Sequence, residues 1–156
     1  MSRLLSDLDP LFYPLACQLI ALAAERTIPV FIVDTLRTPE EQADNIARGV
    51  SWTTNSKHLP QPFCPICGKR YPYLTQTCSK DGALLLPGKS CAIDICPYEV
   101  YALNGPDKLQ WSAKHPAWLT LGAIGVGLGL RWGGTWKVAT TPLSPKADLG
   151  HFEMVL

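Results

Sequence analysis

Two of the chain's three histidines stand in short polar fragments, Ser56-Lys-His58 and Asp148-Leu-Gly-His151, and a third fragment, Ala92-Ile-Asp94, adds a carboxylate. Two imidazoles and one carboxylate make a ligand set that leaves the fourth tetrahedral position of a zinc ion open to water. At such a site the metal lowers the pKa of water and polarises a carbonyl. Asp148, three residues before His151, is spaced to sit beside that water and shuttle its proton. The residue types alone leave a second reading open, because a histidine is more often a hydrogen-bonded structural group than a ligand.

The cysteines offer different chemistry. They fall at positions 17, 64, 67, 78, 91 and 96. Cys64-Pro-Ile-Cys67-Gly68 has the spacing of a zinc knuckle, and Cys78-Ser-Lys-Asp81-Gly82 repeats its shape with Asp81 at the second ligand position. Two such turns build a small zinc ribbon that would hold a structural zinc through Cys64, Cys67, Cys78 and Asp81. Cys91, and behind it Cys96, compete for the fourth place. Free or disulfide-bonded cysteines are the alternative.

These groups need elements to hold them. Leu8, Leu11, Leu15, Leu19 and Leu22 recur at helical spacing, which predicts a helix over Asp7–Arg26 capped by Ser6 or Asp7. Pro29-Val-Phe-Ile-Val33 reads as a strand. Thr38-Pro-Glu-Glu41 places a cap, a first-turn proline and first-turn acids in order, so a second helix runs to about Arg48 and ends at Gly49. Residues 51–89 are proline-rich and polar, a loop region with an embedded cysteine module. A strand over Cys91–Ile95, a helix over His115–Leu128 and a closing strand over His151–Leu156 complete the reading. Helices and strands mix without a βαβ repeat, which points to an α+β fold in one domain spanning 1–156.

Bulk composition narrows the function. The chain has 156 residues, 47% hydrophobic and 17% charged, with a net charge of +1, so no global field draws it to nucleic acid or to an anionic membrane. Residues 11–33 are apolar but interrupted by Pro14, Gln18, Glu25, Arg26 and Pro29, a poor membrane span. Arg3, Asp7 and Asp9 in the first ten residues, without an apolar stretch and cleavage site, give no secretory signal. A cytoplasmic protein is expected, in a compartment where thiols stay reduced.

The fragments together resemble the D-Ala-D-Ala carboxypeptidase and L-Ala-D-Glu endopeptidase family of zinc peptidases, in its phage-endolysin branch. That family carries S-x-H-x-x-G-x-A-x-D followed late by [DE]-x-x-H. Ser56, His58, Ala92 and Asp94 match the first pattern, and Asp148 and His151 the second. Arg37-Thr-Pro-Glu-Glu-Gln42 matches an upstream R-[ST]-x-x-x-Q motif, and Gly129 to Trp136 matches a G-L-x-W-G-G-x-W run of the endolysin branch. The resemblance implies a small antiparallel sheet with flanking helices, of the hedgehog and D-Ala-D-Ala peptidase type. It makes His58, Asp94 and His151 zinc ligands and Asp148 the general base and later acid. Arg37 would stabilise an oxyanion or a substrate carboxylate, Ser56 would bond substrate backbone, and Trp132 and Trp136 would line a substrate groove. Two departures stand out. From 58 to 94 is 36 positions, 29 more than the family's seven, and Ser90 replaces the family glycine. The excess is read as an insertion over 61–89, since long surface loops add little closure entropy.

What the resemblance implies is a zinc-dependent hydrolase, monomeric, acting on the stem peptide of peptidoglycan once the membrane is breached. L-Ala-D-Glu is the expected bond and D-Ala-D-Ala the second choice. Two rival functions are a nucleic-acid or protein-binding module built on the ribbon, and a catalytically inactive relative that keeps zinc for structure. Around the knuckles only Lys69, Arg70 and Lys80 accompany Tyr71 and Tyr73, a thin basic face, and the joint presence of Asp148 and Arg37 argues against the inactive relative.

Overall fold

Val30-Phe-Ile-Val-Asp34 is rich in β-branched side chains and forms strand β1 at the edge of a four-stranded antiparallel sheet. Its neighbours are β2 (Ala92–Pro97), β4 (His151–Glu153) and β3 (Arg131–Trp132), in the order β1-β2-β4-β3. The computed structural model describes residues 1–99, 108–136 and 147–156. Three helices accompany the sheet: α1 (Tyr13–Glu25), α2 (Pro39–Ala47) and α3 (Ala117–Gly127).

The two faces of the sheet part company because side chains alternate along a strand. Ile93 and Ile95 of β2, Phe152 of β4 and Trp132 of β3 turn to one side and join Leu19 of α1 and Trp118 and Leu121 of α3 in the main core. Burying each such large apolar side chain contributes about 1.5–3 kcal/mol. Asp94, His151, Glu153 and Arg131 alternate with them on the other side. Register completes the arrangement: Asp94 lies opposite His151, Arg131 opposite Glu153, and Asp34 opposite Asp94 across a bulge between Ile32 and Asp34. These charged residues of the sheet therefore face away from α1 and α3.

Helix α2 begins as its sequence dictates. Thr38 accepts the Glu41 N–H at 3.2 Å, and the Glu41 carboxylate accepts the Thr38 N–H at 2.9 Å, a reciprocal capping box. Helix α1 starts later than its periodicity predicts, at Tyr13 rather than Asp7. Residues Leu5–Asp7 make a separate 3-10 turn, and Leu8 then turns extended to bridge Ser90. The Asp9 N–H bonds the Ser90 carbonyl at 2.7 Å and the Asp9 carboxylate takes both Arg70 donors at 3.0 Å. Tertiary partners thus hold residues 8 and 9 out of the helix, and Pro14 opens it from within the first turn. Strand β3 is a two-residue element absent from the sequence reading.

Residues 61–89 loop out of the chain between the 56–59 turn and β2 and return to the same point. The Gln61 N–H bonds the Lys89 carbonyl at 2.9 Å, and Phe63 and Leu86 exchange both backbone bonds at 3.0 and 2.8 Å. Two turns hang from this base, one over Cys64–Lys69 and one over Cys78–Ala83. No helix among the described residues is long and apolar enough to cross a membrane.

Helix α3 approaches the sheet closely because it presents glycine there. A Cβ at Gly125 would fall 2.5 Å from the Phe152 ring, and one at Gly122 would fall 2.4 Å from Trp132. Gly125→Ala should destabilise the fold by about 1–3 kcal/mol in urea titration. Gly127→Ala, whose Cβ meets nothing within 4 Å, should stay within about 1 kcal/mol of wild type. Equal stability of the two variants would contradict this packing.

Candidate functional site

The Asp94–His151 register pair puts two potential ligands side by side on adjacent strands, and the 56–59 turn brings His58 over them. Asp94 Oδ1 lies 2.9 Å from His151 Nδ1 and 3.0 Å from His58 Nε2, and the two ring nitrogens are 3.3 Å apart. Donors bound at about 2.0–2.1 Å to one tetrahedral zinc ion lie about 3.3 Å from each other. The triangle is therefore nearly the size that one such ion requires, and its donor set suits zinc.

In each imidazole the outward nitrogen is the donor, because its partner can only accept, so the inward nitrogen is the one that would bind a metal on losing any proton it carries. His58 Nδ1–H donates to the Thr35 carbonyl at 2.7 Å, and His151 Nε2–H donates to Glu153 Oε2 at 3.1 Å. The Arg37 backbone N–H also bonds the His58 carbonyl at 3.0 Å, tying the turn to the end of β1. Without a metal, positive charge collects here as protons. Burial alone would lower the His151 pKa, but its hydrogen bonds to Asp94 and Glu153 prevail and raise it to about 10. For Asp94, burial pushes upward and is outweighed by the His58 charge and by the hydrogen bonds from both histidines, so its carboxyl stays well below the usual range. A cation at this point is what the carboxylates favour, and metal binding would displace protons.

A further layer of polar groups fixes the first. Arg37 donates from Nε to Asp34 Oδ2, from Nη2 to Asp94 Oδ2 at 2.8 Å and from Nη1 to Gln42 Oε1 at 3.2 Å. One guanidinium thus joins β1, β2 and α2 and anchors the oxygen of Asp94 that faces away from the histidines. Gln42, from the same sequence motif, donates to Ser51 Oγ at 2.8 Å and to the Thr53 carbonyl at 2.6 Å. Glu153 is buried and pairs with Arg131 at 3.0 Å as well as with His151. Burial raises its pKa, and the His151 bond and the charges of His151, Arg131 and Lys57 bring the net shift downward. Sequence reasoning passed over Glu153, Thr35 and Asp34, although period-two alternation in His151-Phe-Glu153 places Glu153 on the face of His151.

The triangle forms part of the wall of a cleft of about 850 Å³ that also includes Arg37, Ser56, Lys57, Trp136 and Asp148. Asp148 stands at the cleft mouth on the turn before β4, its carbonyl accepting the His151 N–H at 3.2 Å. Partial burial, then the nearby Asp94 charge, pushes its carboxyl pKa up, while His151, His58 and Arg37 oppose the shift. Trp136 lies tilted against His151, ring centres 4.8 Å apart, and meets Trp52 edge-on at 5.9 Å. Trp52 escaped the sequence reading because it lies in a stretch without periodicity.

One expectation needs correction. Trp132 is not a groove residue: it is 9% exposed, stacks on Phe152, fits against Gly122 and donates its indole N–H to the Leu149 carbonyl at 2.8 Å. Its fellow tryptophan four positions on faces the cleft because the Gly133–Thr135 turn reverses the chain between them. Ser56, which lines the cleft, accepts the His58 N–H at its Oγ at 3.3 Å, within the turn that carries His58. The second cluster assembles as Cys64, Cys67, Cys78 and Asp81, with one donor atom of each within 4.8 Å of all the others. Cys91 lies outside that group, fully buried between β2 and the 56–59 turn.

The architecture is a small α+β domain with a cleft on the face of its antiparallel sheet opposite α1 and α3. It is similar to the crystal structure of the L-Ala D-Glu endopeptidase ChiX of Serratia marcescens, at a TM-score of 0.52 and 18% identity over 97% of this chain and 83% of that one. No family model matches the chain, and no curated protein sequence matches it.

Glu153 supplies the test of the site's geometry. Glu153→Ala should weaken zinc binding at the His58–Asp94–His151 group by roughly 10–100-fold, the usual loss when the partner of a ligating imidazole is removed. Glu153→Gln, which keeps an acceptor for Nε2–H, should lose less. Competition against a chromophoric chelator reads both, and unchanged affinity in Glu153→Ala would deny Glu153 this role.

Proposed function

We propose that this protein is a zinc-dependent peptidase that hydrolyses a peptide bond in the stem peptide of peptidoglycan. The observation that carries the reading is the convergence of His58 Nε2, Asp94 Oδ1 and His151 Nδ1 within 2.9–3.3 Å on the wall of a cleft that also holds Asp148. The motif order in the sequence and the similarity in fold to an L-Ala D-Glu endopeptidase support the same substrate class.

In this reading His58, Asp94 and His151 hold the metal. A zinc ion bound by three protein groups supplies Lewis acidity, which acidifies water and polarises the scissile carbonyl. Asp148 receives the proton of the attacking water as its oxygen joins the carbonyl carbon, then delivers that proton to the departing amine as the C–N bond breaks. Arg37 holds Asp94 in register through Asp94 Oδ2, and its remaining N–H groups border the cleft, where a developing oxyanion or a substrate carboxylate would lie. Trp52 and Trp136 offer aromatic faces to the substrate. Lys57 and Arg48 add positive charge to the same cleft, in keeping with the carboxylates of a D-Glu-containing peptide.

L-Ala-D-Glu is the bond we assign, with activity as a phage or prophage endolysin. Mass spectrometry of purified muropeptides after digestion identifies the cut. Cleavage at L-Ala-D-Glu leaves the sugar bearing a single alanine, whereas carboxypeptidase action releases free D-alanine and leaves the rest intact. The second product pattern would replace the assigned bond, and intact muropeptides with zinc-loaded enzyme would overturn the function.

Two variants separate ligand from base. Asp148→Asn should keep its zinc and lose turnover by roughly 10²–10⁴-fold. His151→Ala should lose the zinc of this group. A chelator should abolish activity and added zinc restore it, so full activity in verified metal-free protein would exclude the mechanism.

A further inference from the structure

The cysteine loop is packed inside out. Its centre consists of Cys64, Tyr71 and Cys78, backed by Cys67, Ala83 and Leu85. Its larger aliphatic side chains point to solvent, with Ile66 72%, Leu74 79% and Leu84 75% exposed. So small an apolar centre cannot order a segment of this length against its chain entropy. Cysteines could serve merely as small apolar residues, but a carboxylate sits among them. Asp81 Oδ1 and Oδ2 lie 3.5 and 3.3 Å from Cys64 Sγ, and Cys67 Sγ lies 3.7 Å from Cys78 Sγ.

The backbone is arranged around the sulfurs in two copies. In the first turn the Cys64 N–H bonds the Lys69 carbonyl and the Gly68 N–H bonds the Cys64 carbonyl, each at 2.9 Å; in the second, Cys78, Ala83 and Gly82 repeat both bonds at 2.8 and 2.9 Å. Gly68 and Gly82 take φ of +71° and +72°, a left-handed conformation that glycine adopts without a Cβ clash. Within each turn, backbone N–H groups point at a sulfur at 3.4 Å, from Ile66 and Cys67 to Cys64 and from Lys80 to Cys78. N–H donors directed at sulfur favour the thiolate, which is the form that binds metal.

We propose that Cys64, Cys67, Cys78 and Asp81 bind one zinc-class divalent cation in a closed, four-coordinate site, and that this ion orders the loop and sets the separation of His58 and Asp94. The connection runs through named contacts on both sides of the loop's base. On the His58 side, fully buried Gln61 donates from Nε2 to the carbonyls of Ser56 at 3.1 Å and Leu59 at 3.0 Å, bracing the turn that carries His58. On the Asp94 side, Arg70 grips the first turn at the Gly68 carbonyl, 2.6 Å away, and forks onto Asp9. The Asp9 N–H in turn holds the carbonyl of Ser90, four residues before Asp94. Asp81 closes the site in the position where Cys91 was the sequence alternative. The site does not depend on the peptidase reading, since none of its ligands borders the cleft.

Elemental analysis and cobalt substitution test this on full-length protein purified under reducing conditions. In a His151→Ala background one equivalent of metal should remain, and cobalt there should give the intense sulfur-to-metal charge-transfer absorption of a thiolate-rich tetrahedral site. Adding Cys64→Ser should remove that equivalent. Asp81→Cys should retain it with stronger charge-transfer absorption, and Asp81→Ala should surrender cobalt to a chelator roughly tenfold more readily. Amide exchange of residues 62–86 should quicken in Cys64→Ser in the otherwise wild-type chain, while α1 and α3 keep their protection. No bound metal in the His151→Ala protein, or a Cys67–Cys78 disulfide in reduced preparations, would overturn the proposal. So would an Asp81→Ala protein that holds cobalt as tightly as its parent.

Discussion

Asp94 and His151 are paired residues on antiparallel strands, and the rest of the polar structure follows from that register. A carboxylate and an imidazole 2.9 Å apart beneath a second imidazole form a concentration of charge that the interior tolerates only when every outer atom has a partner. The chain supplies those partners in order: Thr35 and Glu153 for the outward ring nitrogens, Arg37 for the outward carboxylate oxygen, Asp34 and Gln42 for Arg37. Slip β4 by one residue and Phe152 would enter this network while His151 entered the core. The hydrophobic demand of Phe152 and the chemical demand of His151 therefore enforce the same register.

Much of this was legible in residue types, and what was not has a common cause. Helix α2 could be read because its cap, its proline and its acids are local to four residues. The grouping of His58, Asp94 and His151 could be read because motif order survives a long excursion of the chain. The start of α1 could not, since Leu8 and Asp9 answer to Ser90 and Arg70, some sixty to eighty residues away. Trp132 and Trp136 look equivalent in sequence, and only the intervening turn sends one to the core and the other to the cleft. Arg37 shows the same limit: its type suggested a group reaching for substrate, while Asp34, Gln42 and Asp94 together take much of its donor capacity.

The two faces of the sheet divide stability from chemistry. On the helix side, Gly122 and Gly125 let α3 approach until Trp132 and Phe152 stack against it. On the cleft side, packing gives way to directed hydrogen bonds, which fix positions at less net gain per group.

The base of the cysteine loop limits what could stand in its place. Where Gln61 bonds Lys89, the chain departs and re-enters one hydrogen bond apart, so a change of length beyond that point does not by itself alter the spacing of the two ends. Arg70 is the exception to that freedom, because its fork onto Asp9 ties the loop to the segment that holds Ser90. A segment of different sequence would leave the cleft unchanged only if it supplied an equivalent grip on Asp9.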